Sequence, residues 1–343
     1  MDTPGWLGAK QRALAAAQPL SVHLELAYAC NWACVFCYNP RRHDLRRLSG
    51  AEWLVVLDDL RALGTLTVTL TGGEPLRHPD FLAIAAGARE RAFALRVFTN
   101  GALVDDPTAD ALAALHPVGV EMSLHGARAA THDGTTGRPG SWEAMLCGLD
   151  RLVARGVTVS LKTPVTRLNE EEIAEMIALA EARRVPYRLD AALTPRDDGD
   201  RGPLAYAATP VGVERMYRAL AARGALPQGH AEAGGVNCGL GRITMAIDPD
   251  GNVFPCMQWR ASSLGNVRDR PLRQLWNVSP VRAQAAAVSR ATSDRLAGIG
   301  GDLAEFPYCP ALAAQHTGDP LTPDPDHIAR ASIVGRIRAE AAR

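Results

Sequence analysis

The chain has no charge bias, no long apolar run and no export signal, and each absence removes a class of function. Its 343 residues carry 37 Lys plus Arg against 37 Asp plus Glu, whereas a general nucleic-acid binder concentrates Lys and Arg to displace counterions from phosphates. Nucleic acid is therefore not an expected partner. No stretch approaches the roughly 18 consecutive apolar residues of a membrane span, so no membrane association is expected. Residues 1–18 lack a continuous apolar core and read as a short arm, helical over 9–17, and not as a secretion signal. In that setting seven cysteines, an odd number, are ligands or free thiols and not disulfides, which places the protein in a reducing cytoplasm. There is no internal repeat and no low-complexity block beyond Ala-rich helix surface. The length exceeds the roughly 250–300 residues at which one core stops growing, so two domains are expected.

What is present is a concentration of thiols. Cys30, Cys34 and Cys37 lie within eight residues, directly after an apolar run at 22–26. Three thiolates on one short loop can hold an iron–sulfur cluster and leave one iron open to a ligand. Zinc is the alternative at Cys34 and Cys37, although zinc closes its tetrahedron with a second ligand pair. A second unusual segment, Thr71-Gly72-Gly73-Glu74-Pro75, ends another apolar run at 66–70.

The surrounding sequence alternates short apolar runs with stretches of helical period. Strands are expected at 22–26, 66–70, 94–98, 118–124, 157–163 and 187–190, with helices near 49–63, 79–91, 107–115, 141–155 and 169–183. Ser49 with Glu52 fits a capping box, and Asn169 with Glu172 resembles one with Asn as the cap. The alternation predicts an α/β fold: a parallel sheet with right-handed crossovers, curved into a partial (β/α)6 barrel of TIM type. Sites in such barrels gather at the C-terminal ends of the strands. The cysteine loop, the Gly72 to Pro75 segment, Thr99-Asn100-Gly101, Ser123-Leu124-His125-Gly126 and Lys162-Thr163-Pro164 all fall there.

Beyond Asp190 the pattern breaks into Pro/Gly-rich sequence. The expected organisation is an arm at 1–20, the barrel at 21–191, a connector at 192–235 and a smaller region at 236–343. That last region opens on a hairpin, with strands at 243–247 and 253–254 around Asp248-Pro249-Asp250-Gly251, and continues as helix over 272–288 and from 326 to the end.

Cys30-x3-Cys34-x2-Cys37 together with Gly72-Gly73-Glu74-Pro75 resembles the radical S-adenosylmethionine (SAM) enzymes. The resemblance implies that the three cysteines bind a [4Fe–4S] cluster whose fourth iron is chelated by SAM, and that SAM is cleaved reductively to a 5′-deoxyadenosyl radical that abstracts hydrogen from substrate. It implies that Gly72 and Gly73 allow close approach of the methionyl part, that Pro75 stiffens the turn and that Glu74 supplies charge nearby. Phe36 would lie against adenine, and Asn100, Ser123 and Lys162 would contact ribose or carboxylate. A reductant such as flavodoxin or ferredoxin is implied as a partner.

The later sequence carries a second resemblance. Cys238-x12-Gly251-x4-Cys256 looks like the opening of the SPASM and twitch auxiliary-cluster domains, and the segment from Cys309 to Ala313 is similar to them. It departs from a complete SPASM pattern, since three cysteines stand where seven are usual and Phe306 occupies a cysteine position. The resemblance implies one auxiliary [4Fe–4S] cluster on Cys238, Cys256 and Cys309, with His327 as a candidate fourth ligand and structural zinc as the alternative.

Two further residues are candidates for turnover. His125 ends the fourth strand and is read as a substrate or proton-transfer group, or else as a loop-stabilising histidine. Cys147 would donate a hydrogen atom, but it lies roughly 200° around the helix from Met145 at about 100° per residue, which fits an incidental thiol on the outer layer. The leading expectation for function is modification of a ribosomally synthesised peptide by crosslinking or side-chain change, with a separate leader-peptide-binding protein. The alternatives are a twitch-type epimerase or dehydrogenase acting on a carbohydrate or aminocyclitol as small-molecule substrate, and a non-catalytic iron–sulfur scaffold or electron carrier.

Overall fold

A computed structural model describes residues 5–40, 46–227, 238–299 and 301–343. The first four residues of the expected arm, and 228–235 of the connector with the adjoining 236–237, lie outside the described residues. In chain order the elements are α1 (Trp6–Ala16), β1 (Ser21–Glu25), α2 (Gly50–Ala62), β2 (Thr67–Thr71), α3 (Phe81–Glu90), β3 (Ala94–Thr99), α4 (Asp106–Ala114) and β4 (Gly119–Ser123). There follow α5 (Ala129–Thr136), α6 (Ser141–Ala154), β5 (Val159–Pro164), α7 (Ile173–Ala182), β6 (Tyr187–Asp190) and α8 (Pro210–Ala221). The remainder comprises β7 (Thr244–Ile247), β8 (Asn252–Phe254), β9 (Gly265–Asn266), α9 (Leu272–Val278), α10 (Pro280–Ile299), α11 (Gly301–Glu305), α12 (Pro310–Thr317) and α13 (Pro325–Ala341).

Strand order is β6-β5-β4-β3-β2-β1-β7-β8-β9. The pairs from β6 through β1 are parallel, as the strand–helix alternation predicts. Period-two alternation gives each strand two faces. Val22, Leu24, Val97, Val120 and Leu161 are fully buried in the layer beneath the helices, against Trp53, Leu57 and Leu149. The alternate residues His23, Arg96, Phe98, Glu121 and Lys162 contact one another on the opposite face, where Lys162 Nζ sits 3.9 Å over the Phe98 ring and both Arg96 and Lys162 pair with Glu121.

The hairpin region does not build a sheet of its own. β7 pairs in parallel with β1, from Ser21 opposite Thr244 to Leu24 opposite Ile247, and β8 and β9 add antiparallel beyond it. Met245, Ile247 and Val253 are fully buried in the same core as Val22 and Leu24.

Local sequence accounts for most element ends. Ser49 and Glu52 form the expected capping box of α2. The Asn169–Glu172 expectation fails, because both side chains bond elsewhere. Asn169 is buried, accepts from Thr166 N and donates to the carbonyls of His125 and Pro164, while Glu172 accepts from Ala127 N, Arg128 N and the Thr131 hydroxyl. Helix α7 consequently starts at Ile173 without a side-chain cap. The helix expected over 272–288 is broken at Ser279, with Pro280 opening α10, a position where its missing N–H costs nothing. Four helices were not expected: α5, in a polar Thr/Gly-rich stretch, α8, inside the connector, where Thr209 caps and Pro210 opens it, and the short α11 and α12 on either side of Cys309.

Candidate cluster and cofactor site

The cysteine loop and the Gly72–Gly73 turn are laced together by backbone. Leu26 N donates to Thr71 O, Gly73 N to Ala27 O at 2.7 Å and Glu74 N to Ala29 O at 3.0 Å. A Cβ on Gly73 would lie 2.4 Å from Tyr28 O, and one on Gly72, at φ 141°, would lie 2.4 Å from Ala27 O. Only glycine permits this approach. The pair of glycines is thus explained first by contact with this chain's own loop.

Glu74 departs from the expected role of supplying charge to a cofactor. Its carboxylate is fully buried and accepts from Thr99 Oγ1 at 2.7 Å, Asn100 N at 2.8 Å and Leu76 N at 3.2 Å. Burial pushes its pKa up to about 7, opposed by those three donors. It ties the turn to the end of β3. Asn100, held there, donates to Asn31 Oδ1 at 2.7 Å, with Cys30 Sγ 3.8 Å away.

From the other side α5 holds the loop. Ala33 N and Val35 N donate to the carbonyls of Thr136 and Thr135. Trp32, between the first two cysteines, packs edge-on against His132 and His125 with centroids 5.1 and 5.8 Å away, and Phe36 meets His125 at 5.1 Å. His125 is buried, and burial lowers its pKa to about 3, helped by the His132 ring stacked on it. A ring enclosed in this way supports the loop, as the loop-stabilising alternative describes. Cys147 is exposed on α6, while Met145, Leu146, Leu149 and Leu152 of that helix are buried. That is the outer-layer position to which the helical projection assigns an incidental thiol. Ser123 ends β4 half-buried, and Lys162 lies beside it in register on β5, committed to Glu121.

The second cysteine trio gathers beyond the strand ends. Cys256 follows β8, Cys309 precedes α12, and Cys238 packs its thiol 3.7 Å from Ser289 Oγ. Burial pushes the Cys309 thiol up to about 12, with further upward pressure from Cys256 and Cys238, which puts the three within electrostatic reach of one another. Cys30 is likewise pushed up to about 11, by burial first and then by Glu74 and Cys37. Two trios of mutually opposed, half-buried thiols fit a cationic centre that deprotonates them outright. They do not fit one zinc ion, whose sulfur ligands stand at most about 4.6 Å apart. Among the described residues the compact ligand group with all atoms within 4.8 Å is His316, Asp324 and Asp326, and neither trio forms one. A cubane cluster tolerates the wider spacing.

His327 is buried at the start of α13, edge-on to Phe306 at 5.2 Å and Tyr308 at 4.9 Å. It shares with Cys309 the wall of a cavity of about 870 Å³ that reaches Lys162 on β5 and Arg188 on β6. Sequence reasoning missed the charged lining of the strands: Glu25, Arg96 and Glu121 stand at the alternate, non-core positions of β1, β3 and β4, and charge at those positions in strands of a parallel sheet is a readable signal.

Comparison with known proteins agrees with this geometry. Residues 24–180 match the family model of the radical SAM superfamily, and residues 238–298 match the SPASM iron–sulfur cluster-binding domain. The mycofactocin maturase MftC of Mycobacterium ulcerans is 29% identical over 332 residues, covering 90% of this chain and 87% of that protein. The PqqA peptide cyclase of Gluconobacter oxydans is 28% identical over 284 residues, covering 77% and 78%. Among solved structures, Streptococcus suis SuiB bound to S-adenosylmethionine superposes with a TM-score of 0.67 at 17% identity, over 82% of this chain and 71% of that one, a likeness of fold. Among the described residues no helix is long and apolar enough to cross a membrane.

Proposed function

We propose that this chain, which belongs to the radical SAM superfamily, carries a SPASM iron–sulfur domain and is an enzyme of that class, modifies a ribosomally synthesised peptide. The observation that carries the proposal is the similarity to a mycofactocin maturase along 90% of the chain. The PqqA peptide cyclase adds a second peptide-acting relative. When bound, the [4Fe–4S] clusters and SAM supply one-electron chemistry that starts hydrogen abstraction from substrate.

In this reading Cys30, Cys34 and Cys37 hold the first cluster, while Gly72, Gly73 and Pro75 shape the neighbouring turn that takes the methionyl part of SAM. Phe36 and Asn100 flank the same loop, with Ser123 and Lys162 at the strand ends toward ribose or carboxylate. Cys238, Cys256 and Cys309 hold the second cluster, and His327, beside Cys309, remains the candidate for its fourth position. The cavity of about 870 Å³ between Lys162 and Cys309 is of a size that takes a few peptide residues. Its wall includes Arg188, Asp190 and Arg330, which orient a polar backbone, and Tyr187, Tyr217 and Tyr308, which pack side chains. A flavodoxin- or ferredoxin-type reductant and a separate leader-binding protein complete the system.

The test is incubation of anaerobically reconstituted enzyme, with SAM and reductant, against short peptides encoded beside its gene. A mass change in one peptide, matched by release of 5′-deoxyadenosine, is the expected outcome. Release of 5′-deoxyadenosine with every such peptide unchanged would sink the peptide reading. It would favour the carbohydrate reading, which the small number of C-terminal cysteines supports.

A further inference from the structure

Arg260 is a charged side chain only 8% exposed, and it belongs to neither cysteine trio. Burying a guanidinium costs several kcal/mol unless partners compensate it. Here they come from four segments. Glu25 Oε2, at the end of β1 and 3% exposed, lies 2.7 Å from Nη2. Arg260 Nε donates to Met257 O at 2.8 Å, which folds the guanidinium back over the turn that carries Cys256. The Phe254 ring lies under it at 4.7 Å, and Asp197 Oδ2 stands 3.9 Å away. On the far side Glu25 Oε1 accepts from the hydroxyl of Tyr38 at 2.9 Å, and Tyr38 O accepts from Asp197 N at 2.9 Å. Tyr38 is the residue after Cys37. A continuous series of bonds therefore runs from the Cys37 turn through Tyr38, Glu25 and Arg260 to the Cys256 turn.

We infer that Arg260 is a positioning residue that locks the Cys37 turn to the Cys256 turn and raises the reduction potential of the cluster held by Cys238, Cys256 and Cys309. The inference rests on the proposed assignment of those three cysteines to the second cluster, and not on the nature of the substrate. A thiolate-ligated cluster gains negative charge on reduction, so a fixed cation nearby in a poorly solvated site favours the reduced form. The asymmetry of the pair decides which cluster feels it. The cation lies over the Cys256 turn, where its charge opposes the effect of burial on that thiol. Both carboxylates that face it, those of Glu25 and Asp197, belong to residues hydrogen-bonded to Tyr38.

Potentiometric titration followed by electron paramagnetic resonance, on the reconstituted full chain, tests this. Arg260→Met shifts the auxiliary midpoint downward and moves the first cluster less, whereas Arg260→Lys, which keeps the charge, stays near wild type. Because Arg260→Met strands Glu25 as an unpaired buried carboxylate, the double variant Glu25→Gln/Arg260→Met is read beside it. The double variant retains both clusters and still shows the lower auxiliary midpoint. An unchanged auxiliary midpoint in a double variant holding about eight irons, or equal shifts of both clusters, overturns the inference. Peptides left unmodified while the midpoints move as stated would count against the proposed function and leave this inference standing.

Discussion

A histidine in the wrong environment can be more informative than one in the right place. His125 sits at the rim where an acid–base residue belongs, but its ring is enclosed by Trp32, Phe36 and His132. Burial drops its pKa to about 3, from an ordinary value of 6.5. At pH above 6.5 both folded and unfolded chains carry it neutral, so its burial costs nothing. As pH falls below 6.5 the unfolded chain takes up a proton that the folded chain refuses until about pH 3, and stability is lost through that window. The linkage is about 1.4 kcal/mol per pH unit, so roughly 2 kcal/mol is forfeited between pH 6.5 and pH 5. His125→Leu removes the titrating ring and keeps an apolar filler. Anaerobic urea unfolding at pH 7.5 and pH 5.0 is expected to show the variant less stable than wild type at the higher pH, with the gap narrowing at the lower. A gap that stays constant would mean that the ring is solvated and the enclosed reading is wrong.

At the scale of elements, the cysteine loop depends on a helix that its own sequence does not announce. Helix α5 accepts two of the loop's backbone donors through Thr135 and Thr136, and its place is fixed by Asp133. That carboxylate accepts from Gly140 N at 2.6 Å, Trp142 N at 2.9 Å and Ser141 Oγ at 2.8 Å, fastening α5 to the start of α6. Hydrogen bonds to a charged acceptor contribute about 1.5–3 kcal/mol each net of competition with water, and less where the acceptor is partly solvated. Asp133→Ala is expected to loosen the first cluster selectively, with reconstituted iron falling from about eight toward about four per chain and the auxiliary signal intact. Equal loss of both clusters would instead indicate general unfolding. The strands and most helices were legible because apolar period reports directly on burial, and the six parallel strands follow from it, while the α2 cap was legible in the Ser49–Glu52 spacing. The cysteine loop was legible because few structures need three thiols so close together. Helix α5 was not, because its residues Ala129 to Thr136 bond to neighbours instead of presenting an apolar stripe. Asn169 misled for a related reason: a side chain that fits a cap was spent on the carbonyls of His125 and Pro164. The role of Glu74 was also hidden, since a carboxylate in a Gly-Gly-Glu-Pro turn gives no sign of whether it faces a cofactor or the three donors that enclose it.

For the whole molecule, the two cysteine regions share one sheet and one core. Strand β7 lies beside β1 in parallel register. Tyr28 OH donates to Asp248 Oδ2 at 2.9 Å, Leu48 N to Pro249 O, Leu272 N to Asp59 Oδ2 at 2.8 Å, and Trp276 Nε1 to Ala17 O at 2.6 Å. Met245, Ile247 and Val253 bury completely in the common core, at about 1.5–3 kcal/mol each. Removing the later region would take several kcal/mol from the barrel and open β1 as an unpaired, apolar edge, a known route to aggregation. Since a whole domain commonly holds only about 5–15 kcal/mol in reserve, the barrel residues are expected not to fold alone. A fragment ending at residue 237 should be recovered aggregated or without a cooperative transition. The full chain should unfold in one transition that coincides by tryptophan fluorescence and far-ultraviolet circular dichroism. Two separated transitions in the full chain, or a soluble fragment with cooperative unfolding, would show that the sheet contact between β1 and β7 contributes little to the stability of the barrel.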